Sequence, residues 1–191
     1  FKNFFIDIGT PKDFKKAKRL LFNHFNKPAV FLDRDGVINY DSGYVHKFSK
    51  FKYRKKVIQA LKYISNKKCY IFIVTNQAGI GRKKFKLSDF ENLHKELKKD
   101  FLKKNITIND LRYSPFHPDA KIKKYKKNSG YRKPGNLMIK DLLKNWPINV
   151  KKSFMIGDQK TDQICAENSN IYFEYVEKNM LTQMKRLTKS F

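Results

Sequence analysis

The sequence predicts an α/β fold with three layers, in which a parallel β-sheet lies between helices on both of its faces. Short apolar runs that suit buried strands alternate along the chain with longer segments that suit helices. Strands that alternate with helices form βαβ units, and such units build a parallel sheet. The length of 191 residues and the hydrophobic content of 40% are sufficient for one main domain with a substantial core.

The start of the chain differs in character from the rest. Residues 4–8 have the composition of a short strand. Thr10 is suited to cap a helix and Pro11 to occupy its first position, so we predict a lysine-rich helix over about residues 12–25. A break at residues 26–28 then separates this segment from the sheet.

From residue 29 onward the predicted strands and helices alternate. A capping box formed by Ser88 and Glu91 marks the start of a helix in the middle of the chain. Residues 115–135 have no periodicity and are predicted to form a long loop. We predict strands at residues 29–33, 69–75, 111–114, 153–157 and 171–175, and helices at about residues 55–66, 88–104, 136–145 and 161–168 and at the end of the chain.

The formal net charge of +26 is the most prominent feature of the composition. Such a charge favours an anionic partner, which could be nucleic acid, a membrane surface or a phosphorylated substrate. The alternative is a bias of composition, because the 36 lysines far outnumber the 7 arginines and are spread along the whole chain. Proteins that read nucleic acid usually rely on arginine for bidentate contacts. We therefore favour the composition bias, with attraction of phosphate as its by-product, and expect no nucleic-acid partner.

The cysteines and the lack of long apolar runs bear on where the protein acts. Cys69 and Cys165 lie far apart in apolar stretches and are interpreted as buried thiols, not as a disulfide or a metal site. No apolar run approaches the roughly 20 residues that span a bilayer, and no charged-then-apolar leader is visible. We expect a cytoplasmic monomer that does not associate with membranes.

Two carboxylates follow the first predicted strand of the sheet. Asp33 and Asp35 are two residues apart, so on an extended segment their side chains point the same way. Neighbouring carboxylates form a magnesium site, or a nucleophile with an acid/base partner. Gly36 allows the backbone to turn sharply directly after them. An aspartate after a strand is also often only a helix cap, so the pair does not decide the function alone.

Further polar residues follow the other strands, and ligands of parallel sheets bind beyond the carboxyl ends of the strands. Taken singly, each has an ordinary alternative: Thr75 as a helix cap, Lys133 as one of many background lysines and Asp158 as a turn residue. Together they supply oxygen ligands for a hard cation and positive charge for phosphoryl oxygens. The residues of this group are Thr75, Asn76, Gln77, Arg132, Lys133, Asp158 and Asp162.

The order of these residues resembles that of haloacid dehalogenase (HAD)-type phosphatases. Four motifs match those of that superfamily: Asp33-x-Asp35-Gly36, Thr75-Asn76, Lys133 and Gly157-Asp158-x-x-x-Asp162. This resemblance implies a Rossmann-like HAD-type fold with a small cap or none. Over residues 29–175 the chain also resembles the heptose 1,7-bisphosphate 7-phosphatases, and histidinol-phosphate phosphatases share much of that similarity. The segments that carry this second resemblance are residues 31–39, 41–46, 74–82 and 117–119.

The resemblance implies roles for the four aspartates. Asp33 would be the nucleophile that takes the phosphoryl group as an aspartyl phosphate. Asp35 would protonate the leaving sugar oxygen and then activate the hydrolytic water. The implied cofactor is Mg²⁺, which would lie between Asp33, the backbone carbonyl of Asp35 and Asp158, with Asp162 as support.

The resemblance also implies which residues bind the substrate. Thr75, Asn76 and Lys133 would hold the phosphoryl oxygens. The implied reaction removes the 7-phosphate of a heptose bisphosphate on the route to nucleotide-activated heptose, a lipopolysaccharide or capsule precursor. Alternatives are a histidinol-phosphate phosphatase and a basic module of the same fold that binds nucleic acid or processes its 3′ ends. The residues expected to face the substrate are Asp41, Ser42, Gly43, Tyr44, Asn76, Gln77 and Arg132.

The family carries a zinc ion in the long loop, and its ligand positions are changed in this chain. These positions hold Ser114, Phe116, Ser129 and Tyr131 instead of cysteine and histidine. Such side chains do not rebuild a zinc site, so we expect no zinc and a loop that is held by packing. His117 remains alone and is interpreted as a hydrogen-bond partner within the loop.

The segment 5–17 resembles the C-terminal end of sugar-1-phosphate nucleotidyltransferases. This resemblance implies that residues 1–27 are the tail of an upstream domain with a linker, and that the phosphatase domain covers residues 28–191. The alternative is a generic strand, turn and helix. A fused nucleotidyltransferase would activate the heptose 1-phosphate that the phosphatase releases.

Overall fold

A five-stranded parallel β-sheet forms the centre of the computed structural model, which describes residues 5–189 and 191. The strands are β1 (Ala29–Leu32), β2 (Tyr70–Asn76), β3 (Asp110–Ser114), β4 (Phe154–Gly157) and β5 (Tyr172–Tyr175). Their order across the sheet is β3-β2-β1-β4-β5, and every neighbouring pair is parallel. The predicted α/β fold with a parallel sheet is therefore confirmed.

Helices connect the strands, as the alternating pattern predicts. The four-residue α3 was not predicted, because one turn is too short to show helical periodicity. Short 3₁₀ turns cover Phe48–Lys50, Lys123–Tyr125 and Val150–Lys152. The α-helices are α1 (Pro11–His24), α2 (Val57–Ser65), α3 (Ala78–Gly81), α4 (Leu87–Lys103), α5 (Leu137–Asn145), α6 (Lys160–Glu167) and α7 (Met180–Leu187).

Alternate side chains of the strands enter two separate hydrophobic cores. In β1, Val30 and Leu32 belong to one core, whereas Ala29 and Phe31 belong to the other. Side chains of α2, α4 and α7 complete the first core, and side chains of α5 and α6 complete the second. Both faces of the sheet are therefore covered by helices, and this burial of apolar surface is the main source of the stability of the fold.

The chain order reverses between β1 and β4, and this reversal fixes where a ligand binds. β2 and β3 extend the sheet on one side of β1, and β4 and β5 extend it on the other. The connections that follow neighbouring strands then diverge, which leaves a crevice at their carboxyl ends. Asp33 follows β1 and Asp158 follows β4 directly. The two aspartates therefore meet at the point where an open parallel sheet binds its ligand.

At the start of the chain, one prediction is confirmed and one is wrong. Thr10 Oγ1 accepts a hydrogen bond from the backbone N–H of Asp13 at 3.2 Å, and Pro11 occupies the first position of α1. Residues 5–8 form no strand, and Phe4 lies outside the described residues. A strand needs a neighbouring backbone for its hydrogen bonds, but Phe5 is 86% exposed. The apolar composition of residues 5–8 is therefore not sufficient to make them a strand.

The predicted capping box at Ser88 lies two residues too late. α4 begins at Leu87, and the Asp89 carboxylate accepts a hydrogen bond from the backbone N–H of Lys86 at 2.8 Å. Asp89 satisfies the orphan donor in the way that Glu91 was expected to do.

Among the described helices, none is both long enough and apolar enough to cross a membrane.

Phe72 lies at the centre of the second core and gives a test of the packing. It is fully buried, and its ring centroid is 5.4 Å from that of Phe31 and 5.5 Å from that of Trp146. Replacing Phe72 by Ala removes these contacts and leaves a cavity, so we expect a loss of about 3–5 kcal/mol in the free energy of unfolding. Urea denaturation followed by circular dichroism measures this loss. Leu102→Ala, at a side chain on α4 that is 57% exposed, should change the same quantity by less than about 1 kcal/mol.

Candidate active site

The carboxyl ends of β1, β2 and β4 open into a polar cavity of about 440 Å³. The strand ends and the loops that follow them supply its walls, as expected for an open parallel sheet. Ser42 is the one residue of the predicted site that does not line this cavity in the described part of the chain. The predicted residues that do line it are Asp33, Asp35, Asp41, Gly43, Tyr44, Thr75, Asn76, Gln77, Arg132, Lys133, Asp158 and Asp162.

A buried lysine connects three elements at the floor of the cavity. Lys133 is only 2% exposed, although it comes from the long loop. Its Nζ atom lies 2.7 Å from Asp33 Oδ1 and 2.6 Å from Asp162 Oδ1, and it donates a hydrogen bond to the carbonyl of Val74 at 2.9 Å. One ammonium group therefore joins the end of β1, the inside of β2 and the first turn of α6.

The protonation equilibria of this cluster reflect its burial. Burial raises the pKa of Asp33 to about 7, while Lys133 opposes this rise and Asp162 adds to it. Burial lowers the pKa of Lys133, but Asp33 and Asp162 more than offset that effect and hold it above its ordinary value. The lysine is therefore a permanent cation at neutral pH. The positive charge of Lys133 stabilises the ionised form of Asp33.

The donor set at the cavity floor fits a hard divalent cation. One carboxylate oxygen from each of Asp33, Asp158 and Asp162 lies within 4.8 Å of the other two. Burial raises the pKa of Asp158, and its Oδ1 atom is buried without a hydrogen-bond partner among the described residues. Uncompensated buried oxygens of this kind suit Mg²⁺, which prefers oxygen ligands.

Asp162 differs from the other two aspartates because one of its oxygens accepts hydrogen bonds from two backbone N–H groups. Its Oδ2 atom accepts hydrogen bonds from the backbone N–H of Asp158 at 3.2 Å and of Gln159 at 3.0 Å. Its Oδ1 atom faces Lys133, and the residue is only 1% exposed. The Asp162 carboxylate therefore caps the start of α6 and fixes the backbone of Asp158 and Gln159, which precede that helix.

Gly36 is required by the close approach of two loops. Its φ of 84° lies in the left-handed region, which a residue with a side chain rarely adopts. A Cβ atom at this position would lie 2.2 Å from Asp158 Oδ2. The absence of a side chain at Gly36 therefore allows the loops after β1 and β4 to approach each other.

The residues at the end of β2 hold other parts of the site. Asn76 Oδ1 accepts a hydrogen bond from the backbone N–H of Lys133 at 3.0 Å, and its Nδ2 donates to the carbonyl of Lys133 at 3.1 Å. Gln77 Nε2 donates to Asp35 Oδ2 at 2.8 Å and to Thr75 Oγ1 at 3.0 Å. Asn76 thus fixes the backbone of the buried lysine, and Gln77 joins Thr75 to Asp35.

Sequence reasoning missed Arg34, which lies between the two aspartates of the first motif. Its side chain is fully buried, and its guanidinium group donates to both carboxylate oxygens of Asp35. A signal was present in the sequence: alternation along an extended segment points Arg34 away from the side of its neighbours and into the protein. A charged residue that directly follows a buried strand is therefore a candidate for a buried ion pair.

Arg132 lines the cavity, and Arg82 lies near enough to it to affect its pKa. Burial lowers the pKa of Arg132, and the nearby Arg82 lowers it further. The Nη1 atom of Arg132 is buried without a hydrogen-bond partner among the described residues. Arg82 lies 2.9 Å from His117 Nε2 and donates to the hydroxyl of Tyr44 at 3.3 Å. Sequence reasoning missed Arg82, because only the fold brings it beside Arg132.

The long loop is held by hydrogen bonds and by aromatic packing. The carbonyl of Gly81 accepts hydrogen bonds from two backbone N–H groups of the loop, at 2.8 and 3.0 Å. The ring of Phe116 meets that of Tyr125 edge-on with centroids 5.8 Å apart, and Lys127 Nζ lies 4.8 Å from the Phe116 centroid. His117 Nδ1 accepts a hydrogen bond from the backbone N–H of Asp119 at 3.0 Å, as predicted for this histidine.

The fold and the site define a HAD-like phosphatase, which is a hydrolase, and comparison with known proteins agrees. A family model described as polynucleotide kinase 3 phosphatase matches residues 30–180. The D-glycero-β-D-manno-heptose-1,7-bisphosphate 7-phosphatase of Rhodopseudomonas palustris is 36% identical over 145 residues, which cover 76% of this chain and 81% of the relative. The D-glycero-α-D-manno-heptose-1,7-bisphosphate 7-phosphatase of Photorhabdus laumondii subsp. laumondii is 35% identical over 148 residues, which cover 78% of this chain and 81% of that relative.

A solved structure supports the fold. The D,D-heptose 1,7-bisphosphate phosphatase from B. bronchiseptica, complexed with magnesium and phosphate, superposes with a TM-score of 0.76 at 18% identity. The match covers 86% of this chain and 99% of that one. The chain belongs to the family of HAD-like phosphatases that contains the heptose-1,7-bisphosphate 7-phosphatases.

The close approach at Gly36 can be tested through cation binding. We expect Gly36→Ala to weaken Mg²⁺ binding by about tenfold or more, because the new Cβ atom displaces the Asp158 carboxylate; a change of 1.4 kcal/mol is already tenfold. Isothermal titration calorimetry with MgCl₂ measures the affinity. Gly43→Ala is the matched control, because Gly43 also has a positive φ but a Cβ atom there would meet nothing within 4 Å. Equal weakening in both variants would show that the contact between the new Cβ atom and Asp158 does not cause the loss of Mg²⁺ affinity.

Proposed function

We propose that this protein is a Mg²⁺-dependent phosphomonoesterase that removes the 7-phosphate of D-glycero-D-manno-heptose 1,7-bisphosphate. The observation that carries the proposal is the buried Lys133 between Asp33 and Asp162 at the floor of a polar cavity. It places a fixed cation beside a carboxylate that can attack phosphorus. The names of the relatives supply the substrate, since both are heptose-1,7-bisphosphate 7-phosphatases.

In the proposed mechanism Asp33 attacks phosphorus, and a bond between its carboxylate oxygen and phosphorus forms as the bond from phosphorus to the sugar oxygen breaks. Asp35 gives a proton to that leaving oxygen. It then takes a proton from a water molecule, which attacks the aspartyl phosphate and releases inorganic phosphate and free Asp33. Each carboxylate returns to its starting state, so the cycle balances.

The charge of the transferring phosphoryl group requires compensation. The Lys133 ammonium lies 2.7 Å from Asp33, so it is within reach of a phosphoryl oxygen during the attack. Thr75 lines the cavity beside it and provides a hydroxyl donor. When bound by Asp33, Asp158 and the backbone carbonyl of Asp35, Mg²⁺ supplies further neutralisation of the phosphoryl charge. Asn76 contributes by holding the backbone of Lys133.

Arg132 in the cavity wall, with Arg82 near it, favours a substrate with a second phosphate. The charge of Arg82 is partly compensated by Asp119 at 3.4 Å. Arg132 instead has a buried N–H donor without a partner among the described residues, so an anion at this position would satisfy it. Phosphate is an anion that this planar donor geometry matches. Tyr44 and Asp41 face the same cavity and are proposed to contact the sugar. This arrangement supports a bisphosphate over a simple sugar monophosphate.

The loop that carries Lys133 is proposed to work without zinc. Phe116 packs against Tyr125, and Ser129 Oγ accepts a hydrogen bond from the backbone N–H of Tyr131 at 3.2 Å. Tyr131 and Phe116 have no atom that suits zinc in the way that thiolate or imidazole does. Packing and hydrogen bonds then hold this loop without a metal.

The first segment is proposed to belong to a nucleotidyltransferase-like unit that precedes the phosphatase domain. Within the described residues, α1 buries only Ala17 well and exposes several large apolar side chains. Such side chains are typical of a surface that packs against another domain. A unit of this kind would use the heptose 1-phosphate that the phosphatase produces. The exposed apolar residues are Phe14, Leu20, Leu21 and Phe22 in α1, and Phe25 directly after it.

A reducing compartment such as the cytoplasm is proposed for the protein, in agreement with its thiols. Cys69 and Cys165 are both free. Burial raises the pKa of Cys69 to about 11 and that of Cys165 to about 12. Thiols held in this neutral form are unreactive and serve to fill the core.

Phosphate release tests the reaction and its substrate. We expect Mg²⁺-dependent release from heptose 1,7-bisphosphate, with a kcat/KM above that for heptose 7-phosphate, histidinol phosphate and 3′-phosphorylated DNA. Asp33→Asn should reduce release by about 10³-fold or more, because an amide cannot form the acyl phosphate. Malachite-green detection of phosphate with the β and α anomers of the bisphosphate measures each rate.

One control variant and one test variant accompany this measurement. Asp141→Asn removes a carboxylate that pairs with Arg112 outside the cavity, so its rates should remain close to those of the wild type. Arg132→Met should lower kcat/KM for the bisphosphate by about 10- to 100-fold, the value of one charged hydrogen bond, and change that for the monophosphate little. Release that persists in Asp33→Asn would disprove the mechanism, and preference for histidinol phosphate or DNA would disprove the substrate.

Metal analysis tests the loop without zinc. We expect the purified protein to contain less than about 0.1 zinc per chain after dialysis, since a site without thiolate or imidazole ligands does not retain zinc. Inductively coupled plasma mass spectrometry measures the zinc content, and dialysis with and without a chelator should leave the phosphatase rate in added Mg²⁺ unchanged. One zinc per chain that resists dialysis would contradict this expectation.

A further inference from the structure

Among the described residues, Arg34 is the largest side chain that is fully buried. Removing a guanidinium group from water costs several kcal/mol, and an apolar side chain of similar volume often gives equal or greater stability at such a site. Its Nη1 atom makes no hydrogen bond within the described residues, so the cost of burying the guanidinium group is only partly compensated. A role in stability alone therefore does not explain an arginine at this position.

The contacts of Arg34 converge on Asp35. The Nη2 atom donates to Asp35 Oδ2 at 2.7 Å and to Oδ1 at 2.9 Å, and Nε lies 3.2 Å from Oδ2. The same Nη2 atom donates to the carbonyl of Val45 at 2.9 Å. Val45 directly follows Gly43 and Tyr44, which line the cavity, so one guanidinium group joins the carboxylate to the substrate side of the site.

Two further donors complete the surroundings of the Asp35 carboxylate. Asn39 Nδ2 donates to Oδ1 at 2.9 Å, and Gln77 Nε2 donates to Oδ2 at 2.8 Å. Gln77 in turn lies with its Oε1 atom 3.3 Å from Arg34 Nη2. Arg34 is the one member of this set that contacts both oxygens of the carboxylate. It therefore fixes the rotation of the carboxylate, while the other two donors each restrain one oxygen.

We propose that Arg34 is a positioning residue for proton transfer, which holds the Asp35 carboxylate in the orientation that serves the leaving sugar oxygen. This role rests on the proposed function, in which Asp35 is the acid and base. A lysine cannot reproduce it, because a single ammonium group lacks the planar arrangement of donors that contacts two oxygens at once. A misplaced carboxylate loses proton transfer, which contributes about 10²- to 10⁴-fold to rates.

The test compares two leaving groups on the same enzyme. A sugar alkoxide needs a proton as it departs, whereas 4-nitrophenolate is stable enough to leave without one. We expect Arg34→Lys and Arg34→Met to lower kcat/KM for heptose 1,7-bisphosphate by about 10²-fold and to change that for 4-nitrophenyl phosphate by less than about threefold. The quantity kcat/KM isolates the first chemical step, so the later action of Asp35 as a base does not enter it. Asp35→Asn provides the reference pattern and should show the same selective loss.

Matched variants separate positioning from damage to the fold. Arg112→Lys changes an arginine that also pairs with two aspartates, Asp110 and Asp141, but lies outside the cavity. It should leave both substrates unaffected. Gln77→Ala removes one donor to Asp35 and leaves Arg34 in place, so it should give a smaller loss in the same direction. This variant decides the question if neither Arg34 variant folds by circular dichroism.

The outcomes distinguish this inference from the proposed function. Equal loss on both substrates, or no loss on either, in a folded Arg34 variant overturns the positioning role even when Asp33→Asn is inactive. With neither Arg34 variant folded, equal effects of Gln77→Ala on both substrates overturn it. Activity that survives in Asp33→Asn instead overturns the proposed function. A loss confined to the sugar bisphosphate supports the positioning role.

Discussion

The ammonium group of Lys133, held between Asp33 and Asp162, is the interaction on which the rest of the site depends. A lone buried charge is too costly for a protein interior, so the buried lysine and the two carboxylates compensate one another. The triad ties the end of β1 to the start of α6 and to the long loop. Removing Lys133 would leave two buried carboxylates without their cation, which destabilises the fold more than the pairing itself stabilises it.

Because Lys133 comes from a long loop, the position of that loop is a second constraint on the site. The end of the loop must be held in one place, and Asn76 holds it there by hydrogen bonds to both the backbone N–H and the carbonyl of Lys133. Upstream, the Gly81 carbonyl and the contact between Phe116 and Tyr125 restrain the same loop. These contacts act far from phosphorus, yet they set the position of the cation that compensates its charge.

The arginines of the site show how the same side chain serves different purposes. Arg34 is surrounded by acceptors and is proposed to orient Asp35. Arg132 and Arg82 lie close together, and a buried donor of Arg132 has no acceptor within the described residues. Arg34 already binds both oxygens of a carboxylate, whereas Arg132 has no carboxylate partner among the described residues and is suited to bind an anion. The presence or absence of a carboxylate partner distinguishes these two arginines.

The sequence by itself determined the alternation of strands and helices, the parallel sheet and the position of Asp33, Asp35 and Asp158 at strand ends. These features depend on local periodicity and on the rule that parallel strands present their carboxyl ends at one edge. Only the tertiary structure decided that residues 5–8 form no strand, that Asn76 holds Lys133, and that Arg82 lies beside Arg132. Each of these depends on contacts between residues distant in sequence, or on their absence within the described chain, and side-chain spacing along one segment does not encode them.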